Sequence, residues 1–128
     1  MKLFRTGIIA TFALAAALST AAPASAKGGN DVRTSGRCSA GSTWTMKAKP
    51  DDGRIEVELE VDSNRVGQVW SVVLADNGHR IFTGSRRTVA PSGSFELELR
   101  SANRAGADRF TGTARTANGE VCSASVTI

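Results

Sequence analysis

The stretch "TWTMKAKPDDGRIEVELEV", residues 43–61, decides the fold. Apolar Trp44, Met46 and Ala48 alternate with Thr45, Lys47 and Lys49. After Pro50-Asp51-Asp52-Gly53, apolar Ile55, Val57, Leu59 and Val61 alternate with Glu56, Glu58 and Glu60. Period two places alternate side chains on opposite faces of an extended strand, so the segment reads as a hairpin with one buried and one solvated face. A loop over 50–53 sets Lys49 opposite Arg54. Ala48 then faces Ile55, Met46 faces Val57, Trp44 faces Leu59, and Lys47 faces Glu56. Apolar meets apolar and base meets acid, which supports this register.

Outward from this hairpin the same alternation recurs. Residues 68–75 form a strand, and Asn77-Gly78 is the strongest two-residue hairpin signal in the chain, because both residues tolerate the positive φ of a type I′ turn. Pairing Asp76 with His79 sets Leu74 opposite Ile81, Val72 opposite Thr83 and Trp70 opposite Ser85. The return strand runs to about Val89, and Ala90-Pro91-Ser92-Gly93 makes a turn. Phe95, Leu97 and Leu99 then alternate with Glu96, Glu98 and Arg100. Residues 103–108 read as a loop, 109–116 as a strand with Phe110 and Ala114 on one face, and Asn118-Gly119 as the turn into a last strand over 121–128. The expected architecture is all-β, a seven-stranded antiparallel β-sandwich.

What precedes it is of a different kind. Lys2 and Arg5 lead an apolar, alanine-rich run over 8–18, and Ala24-Ser25-Ala26 offers the small residues of a signal-peptidase site. Residues 1–26 are read as a cleaved helical signal peptide, too short to span a bilayer. Residues 27–37, with Gly28, Gly29 and Gly36 and few apolar positions, are read as a flexible leader, and 38–128 as the folded domain. The expected product is secreted, with no membrane insertion after cleavage, and monomeric. Without Lys2 and Arg5 the net charge falls from +4 to +2, which argues against a nucleic-acid partner on charge alone. The two cysteines, Cys38 and Cys122, read as one disulfide in an exported chain.

The segment "AGADRFTGTARTANGEVCSASVTI", residues 105–128, resembles the last hairpin of immunoglobulin-like and fibronectin type III-like domains: a loop, an aromatic-led strand, a turn and a closing strand. Trp70 falls on the third strand, pointing inward, as the core Trp of such folds does. The chain is similar to short exported bacterial proteins of this kind that have no assigned activity. It departs from antibody domains in having no cysteine on the second strand, and Phe110 stands at the usual tyrosine position. The resemblance implies first and last strands side by side and parallel, so that Cys38 and Cys122 meet start to start. Fold likeness by itself supplies no function.

The residues offer little for catalysis. A nucleophilic cysteine needs an activating base, and the only histidine, His79, sits in a hairpin turn. There is no G-x-S-x-G serine elbow and no zinc-ligand spacing. Asp51, Asp52, Asp62, Asn64, Asp76 and Asp108 carry oxygen ligands suited to calcium, but turn formation explains them equally well. The reading is a non-enzyme without a cofactor.

The strand faces carry more. One sheet presents Glu56, Glu58, Glu60, Glu96 and Glu98 outward, partly balanced by Lys47 and Lys49. The other presents Arg80, Arg86, Arg109 and Arg115 with Thr111, Thr113, Ser123, Ser125 and Thr127. The hairpin register places Val69, Val73 and Phe82 among those arginines, and an apolar patch rimmed by charge marks an interaction surface. The expected function is a secreted binding module acting at or outside the cell envelope. Its candidate face is centred on Phe82, and its partner is a protein or an anionic wall polymer held by arginine hydrogen bonds. On this reading Phe82→Ser leaves the melting midpoint nearly unchanged and weakens binding. The alternative is a small secreted hydrolase inhibitor presenting an end loop, 65–67 or 104–108.

Overall fold

A computed structural model describes residues 31–128, so the expected signal peptide, residues 1–26, lies outside the described residues. Two antiparallel four-stranded sheets face each other, in strand orders β1-β2-β3-β6 and β5-β4-β7-β8. The strands are β1 (Val32–Arg37), β2 (Thr43–Asp51), β3 (Arg54–Asp62), β4 (Val69–Asp76), β5 (His79–Arg87), β6 (Ser94–Ala102), β7 (Arg109–Thr116) and β8 (Val121–Thr127). The all-β, sandwich-like architecture is as expected, but with eight strands in place of seven.

The added strand is β1, inside the expected flexible leader. It pairs antiparallel with β2, Val32 opposite Ala48 and Gly36 opposite Trp44. Its inward positions are Val32, Thr34 and Gly36, of which only Val32 is apolar, so hydrophobic alternation could not reveal it. Other chemistry supports it. The Thr34 hydroxyl donates to Ser125 O of β8. Gly36 leaves room for the Trp44 indole, since a Cβ there would stand 2.7 Å from Trp44 Cζ2.

The β2–β3 hairpin is tighter than a four-residue loop. Asp51 pairs with Arg54 across Asp52-Gly53, so Ala48 faces Val57, Met46 faces Leu59, Trp44 faces Val61 and Lys47 faces Glu58. The register differs from expectation by two residues, which preserves both faces. Asp52 and Gly53 both take positive φ (48° and 74°), as a two-residue turn requires.

Trp70, Phe110, Met46, Leu59 and Leu74 are wholly buried between the sheets. Trp70 donates Nε1–H to Gln68 Oε1 at 3.1 Å, so its polar atom is satisfied at the rim of the core. Its ring lies 6.4 Å from Phe95. The sheets approach closely over Gly112, where a Cβ would stand 2.9 Å from Leu74 Cδ2 and 3.2 Å from Leu59 Cδ2.

Cys38 and Cys122 form the disulfide, their Cα atoms 4.3 Å apart. Cys38 follows the end of β1 and Cys122 lies near the start of β8, so end meets start, and the bond ties the β1 edge of one sheet to the β8 edge of the other. Ser39 continues the closure: its N–H donates to Val121 O at 2.9 Å, and its hydroxyl accepts from Val121 N at 2.9 Å. Both cysteines are buried and none is free among the described residues. A buried disulfide is consistent with an extracellular or otherwise oxidising location. No helix among the described residues is long and apolar enough to cross a membrane.

Candidate functional site

The outer face of the β5-β4-β7-β8 sheet is built by strict alternation. Trp70, Val72 and Leu74 of β4 and Phe110, Gly112 and Ala114 of β7 point into the core. Their neighbours Val69, Ser71, Val73, Ala75, Arg109, Thr111, Thr113 and Arg115 therefore face out. Cross-strand pairing arranges these into rows. Thr83, Val73, Thr113 and Ser123 form one row, Ser85, Ser71, Arg115 and Val121 the next, and Arg80, Ala75, Thr111 and Ser125 a third.

The register of β5 changes the expected face. Asp76 opposite His79 and Ala75 opposite Arg80 agree with an Asn77-Gly78 turn, but a β-bulge follows, and Leu74 pairs with Phe82, not with Ile81. One extra residue reverses the facing of everything beyond it. Ile81 and Phe82 both pack against the core. Phe82 consequently lies on the interior side with Leu74, half-buried, and is not the centre of an outward patch. Its ring covers Gly84, where a Cβ would stand 2.8 Å from Phe82 Cζ. Arg86 follows it inward and stacks its guanidinium 4.9 Å from the ring centroid. Arg87, missed by sequence reasoning, takes the outward position opposite Val69. The signal was present in "HRIFTG", because two consecutive apolar residues interrupt the alternation where the bulge falls.

The resulting face carries exposed Arg80, Arg87, Arg109 and Arg115 among serines, threonines and valines, and none of its outward strand positions holds Asp or Glu. None of these four arginines forms an ion pair with a described residue. Arg87 donates from Nη1 to Gly67 O at 3.3 Å. Of the expected patch, Val69 is exposed and Val73 half-buried, both outward, while Phe82 and Arg86 are removed from it. Strand spacing separates the Cα atoms of these arginines by about 10–20 Å, so their charges are spread over the whole face.

The β1-β2-β3-β6 sheet presents the opposite charge at its centre. Glu58 pairs directly with Glu98 and Glu60 with Glu96. Lys47 reaches Glu58 at 3.8 Å and Lys49 reaches Glu56 at 3.5 Å. Burial, then the adjacent Glu96 carboxyl, raises Glu60 above the ordinary carboxylate range. The Glu56 charge chiefly raises Glu98. The groups Glu56–Glu58–Glu98 and Glu58–Glu60–Glu96 each bring carboxylate oxygens within 4.8 Å of one another, close enough for a cation. A shallow depression of about 220 Å³ lies beside them, lined also by Arg33, Thr45 and Lys47.

Three buried carboxylates lie elsewhere than the outer faces. Glu120, in the β7–β8 turn, accepts Ala40 N (3.1 Å) and Ser42 N (2.9 Å) on Oε2 and the Ser42 hydroxyl (2.8 Å) on Oε1. Burial works to raise its pKa, but the donors from Ser42 and Ala40 outweigh it and hold the group below its ordinary value. At the other end of the sandwich, Asp76 and Asp108 are 0% and 1% exposed. Burial and the facing Asp108 carboxyl push Asp76 up to about 6, against the Arg104 guanidinium 3.3 Å away.

No family model, curated protein or solved structure matches the chain.

Proposed function

We propose that this chain is an exported binding module that engages an anionic polymer of the cell envelope through the outer face of the β5-β4-β7-β8 sheet. The observation that carries the reading is the segregation of charge. Four arginines without an ion pair to any described residue occupy a face without a carboxylate, while on the opposite face five glutamates are interleaved with Arg33, Lys47, Lys49 and Arg100. Arginines spread over a flat face, with hydroxyls between them, suit repeated anionic groups along an extended chain better than one compact ligand. Such a surface needs no acid–base pair and no cleft, in keeping with a non-enzyme. The finer fold reading accompanies it. Its support is the order of neighbours: with β2, β3 and β6 taken as strands A, B and E, and β4, β5, β7 and β8 as C, C′, F and G, the sheets keep A-B-E and C′-C-F-G neighbours, with no strand D among the described residues and with β1 added at an edge. Retention on isolated envelope at low ionic strength, lost when Arg80, Arg109 and Arg115 are replaced together by Gln, tests the reading. Equal retention of wild type and variant contradicts it.

One observation favours the hydrolase-inhibitor alternative. Val66 is 61% exposed at the tip of the β3–β4 loop. Thr88 braces that loop: its hydroxyl donates to Arg65 O and its carbonyl accepts Gly67 N at 2.8 Å. A rigid loop with an apolar tip suits insertion into a cleft. Loss of inhibition of a target hydrolase in Val66→Asp, with envelope retention intact, would distinguish this reading from the first.

A further inference from the structure

The two sheets have four edge strands, β1, β6, β5 and β8, and three of them are closed or irregular. β1 and β8 lie against each other beside the disulfide, where the Thr34 hydroxyl donates to Ser125 O and Ser39 N–H donates to Val121 O. β5 is interrupted by its bulge, which disfavours pairing with a further strand. β6 is nine residues long and free of bulge, proline and lysine. Alternate residues of an antiparallel ladder turn their N–H and C=O to opposite neighbours. The two-residue turn makes Asp51–Arg54 a hydrogen-bonded pair, so even-numbered residues of β3 bond to β2 and odd-numbered ones to β6. On β6, Glu96, Glu98, Arg100 and Ala102 therefore direct their backbone groups to the open edge. At Ser94 that edge is already used, since Val89 N donates to Ser94 O at 2.9 Å. The uncovered stretch is 96–102, and its midpoint is Leu99. Within it, Arg100 O accepts a 3.4 Å bond from the exposed Arg54 side chain in place of a strand.

We propose that β6 is a dimerisation edge, at which two copies of this chain join their 96–102 stretches antiparallel about Leu99, in place of the monomer expected from the sequence. This register sets Glu98 of each copy opposite Arg100 of the other, with Leu99 against Leu99 between them. It uses the whole uncovered edge and no more. The neighbouring register, centred on Glu98, needs the occupied Ser94 and sets Glu98 against Glu98. The Leu99 register also brings a cation to Glu98, which is exposed, lies directly opposite Glu58 and is raised in pKa chiefly by the Glu56 charge. It covers Leu99, which points inward like buried Leu97 yet stays half-buried at the strand edge. Arg100 already pairs with Asp51 at 2.9 Å, which holds its guanidinium on the outer face where the Glu98 of a second copy arrives. Such a pair has its two-fold axis normal to the sheet, so both β5-β4-β7-β8 faces point the same way. The arginines of both copies then share one platform, and an extended polyanion gains a second binding event at high effective concentration. The pairing stands on β6 alone, whereas this consequence rests on the polyanion reading.

The test is sedimentation equilibrium of the disulfide-bonded protein without polymer. The expected result is a reversible dimer with a dissociation constant on the order of 10⁻⁵–10⁻⁴ M, as suits a small interface. Glu98→Arg alone and Arg100→Glu alone each set like charges across the axis and weaken dimerisation about tenfold or more. Mixed in equal amounts, the two variants restore opposite charges at both pairs and form a heterodimer. Amide exchange in the wild type needs no variant. The N–H groups of Glu98 and Arg100 slow as concentration rises through the dimerisation range, while those of Leu97 and Leu99, already bonded to β3, change less. A monomer up to about 1 mM, a dimer indifferent to Glu98→Arg, a mixture that stays monomeric, or unaltered exchange at Glu98 and Arg100 would overturn the proposal. A monomer that still binds polymer in a salt-sensitive way ends this proposal and leaves the polyanion reading standing.

Discussion

Glu120 fastens the β1–β2 turn to the β7–β8 turn beside the disulfide, and its replacement separates hydrogen bonding from charge. In Glu120→Ala, three donors at 2.8–3.1 Å lose their acceptor at once. A hydrogen bond to a charged group contributes roughly 1.5–3 kcal/mol. Water reaches part of this turn, so the expected total loss is about 3 kcal/mol, well below the sum. For a domain of this size that lowers the melting midpoint by about 15 °C. Glu120→Gln retains an oxygen for the two backbone N–H groups, and the Ser42 hydroxyl can rotate to accept from the new NH₂. Its expected cost is about 1 kcal/mol, or roughly 5 °C. The pH dependence follows from the direction of the shift. A carboxylate held below its ordinary 4.5 contributes stability above that value and loses it as pH falls through the folded pKa. The gap between wild type and Glu120→Gln therefore closes in acid, whereas much of the Glu120→Ala deficit persists. Thermal melts followed by circular dichroism across the acidic range, with the disulfide intact, measure both. Equal losses in the two variants, or a wild type–Gln gap that is constant with pH, would refute the reasoning.

Three further outcomes are expected. Replacing Cys38 and Cys122 together by Ala opens a closure spanning 84 residues, which in the chain-entropy treatment is worth about 4 kcal/mol, so the midpoint falls by about 20 °C; an unchanged midpoint would show that the bond is not structural. Phe82→Ser strips a half-buried ring from over Gly84 and from beneath Arg86 and lowers stability by about 2 kcal/mol, without weakening envelope retention; the reverse pair of results would return Phe82 to the outer face. Glu98→Gln relieves repulsion with Glu56 and Glu58, so the midpoint rises at neutral pH. Because the folded pKa of Glu98 is raised, that gain shrinks as pH falls and the wild-type carboxyl protonates; a gain independent of pH would count against repulsion as its source.

Where side-chain parity alone determined the structure, the sequence was readable. The alternation over 43–61 placed both faces of β2 and β3 correctly even though the turn is two residues shorter, because a slip of two preserves parity. Parity failed where one residue was inserted: the bulge at Ile81, between the Ala75–Arg80 and Leu74–Phe82 pairs, turned Phe82 and Arg86 inward and Arg87 outward. β1 escaped because its inward residues, Thr34 and Gly36, serve a hydrogen bond and a tryptophan ring, contacts that only the partner strands reveal. Asp76 and Asp108 were recognisable as oxygen ligands, but equally as turn formers. Their enclosure under the loop 103–107 depends on tertiary packing that no local pattern records. The charge segregation was legible in outline, since it needs only the parity of each strand and its assignment to a sheet; on β5 the bulge put Arg87 in the place expected of Arg86.

The central claim is that the arginine face of the β5-β4-β7-β8 sheet binds a polyanion. Its most direct measurement is the affinity of the disulfide-bonded protein for isolated anionic wall polymer across a series of salt concentrations. Wild type is compared with the combined Arg80→Gln, Arg109→Gln, Arg115→Gln variant and with a combined Arg33→Gln, Lys47→Gln, Lys49→Gln variant of the opposite sheet. The account predicts salt-sensitive binding that collapses in the first variant and persists in the second. Equal loss in both variants, or binding that ignores salt and survives the first, would contradict it.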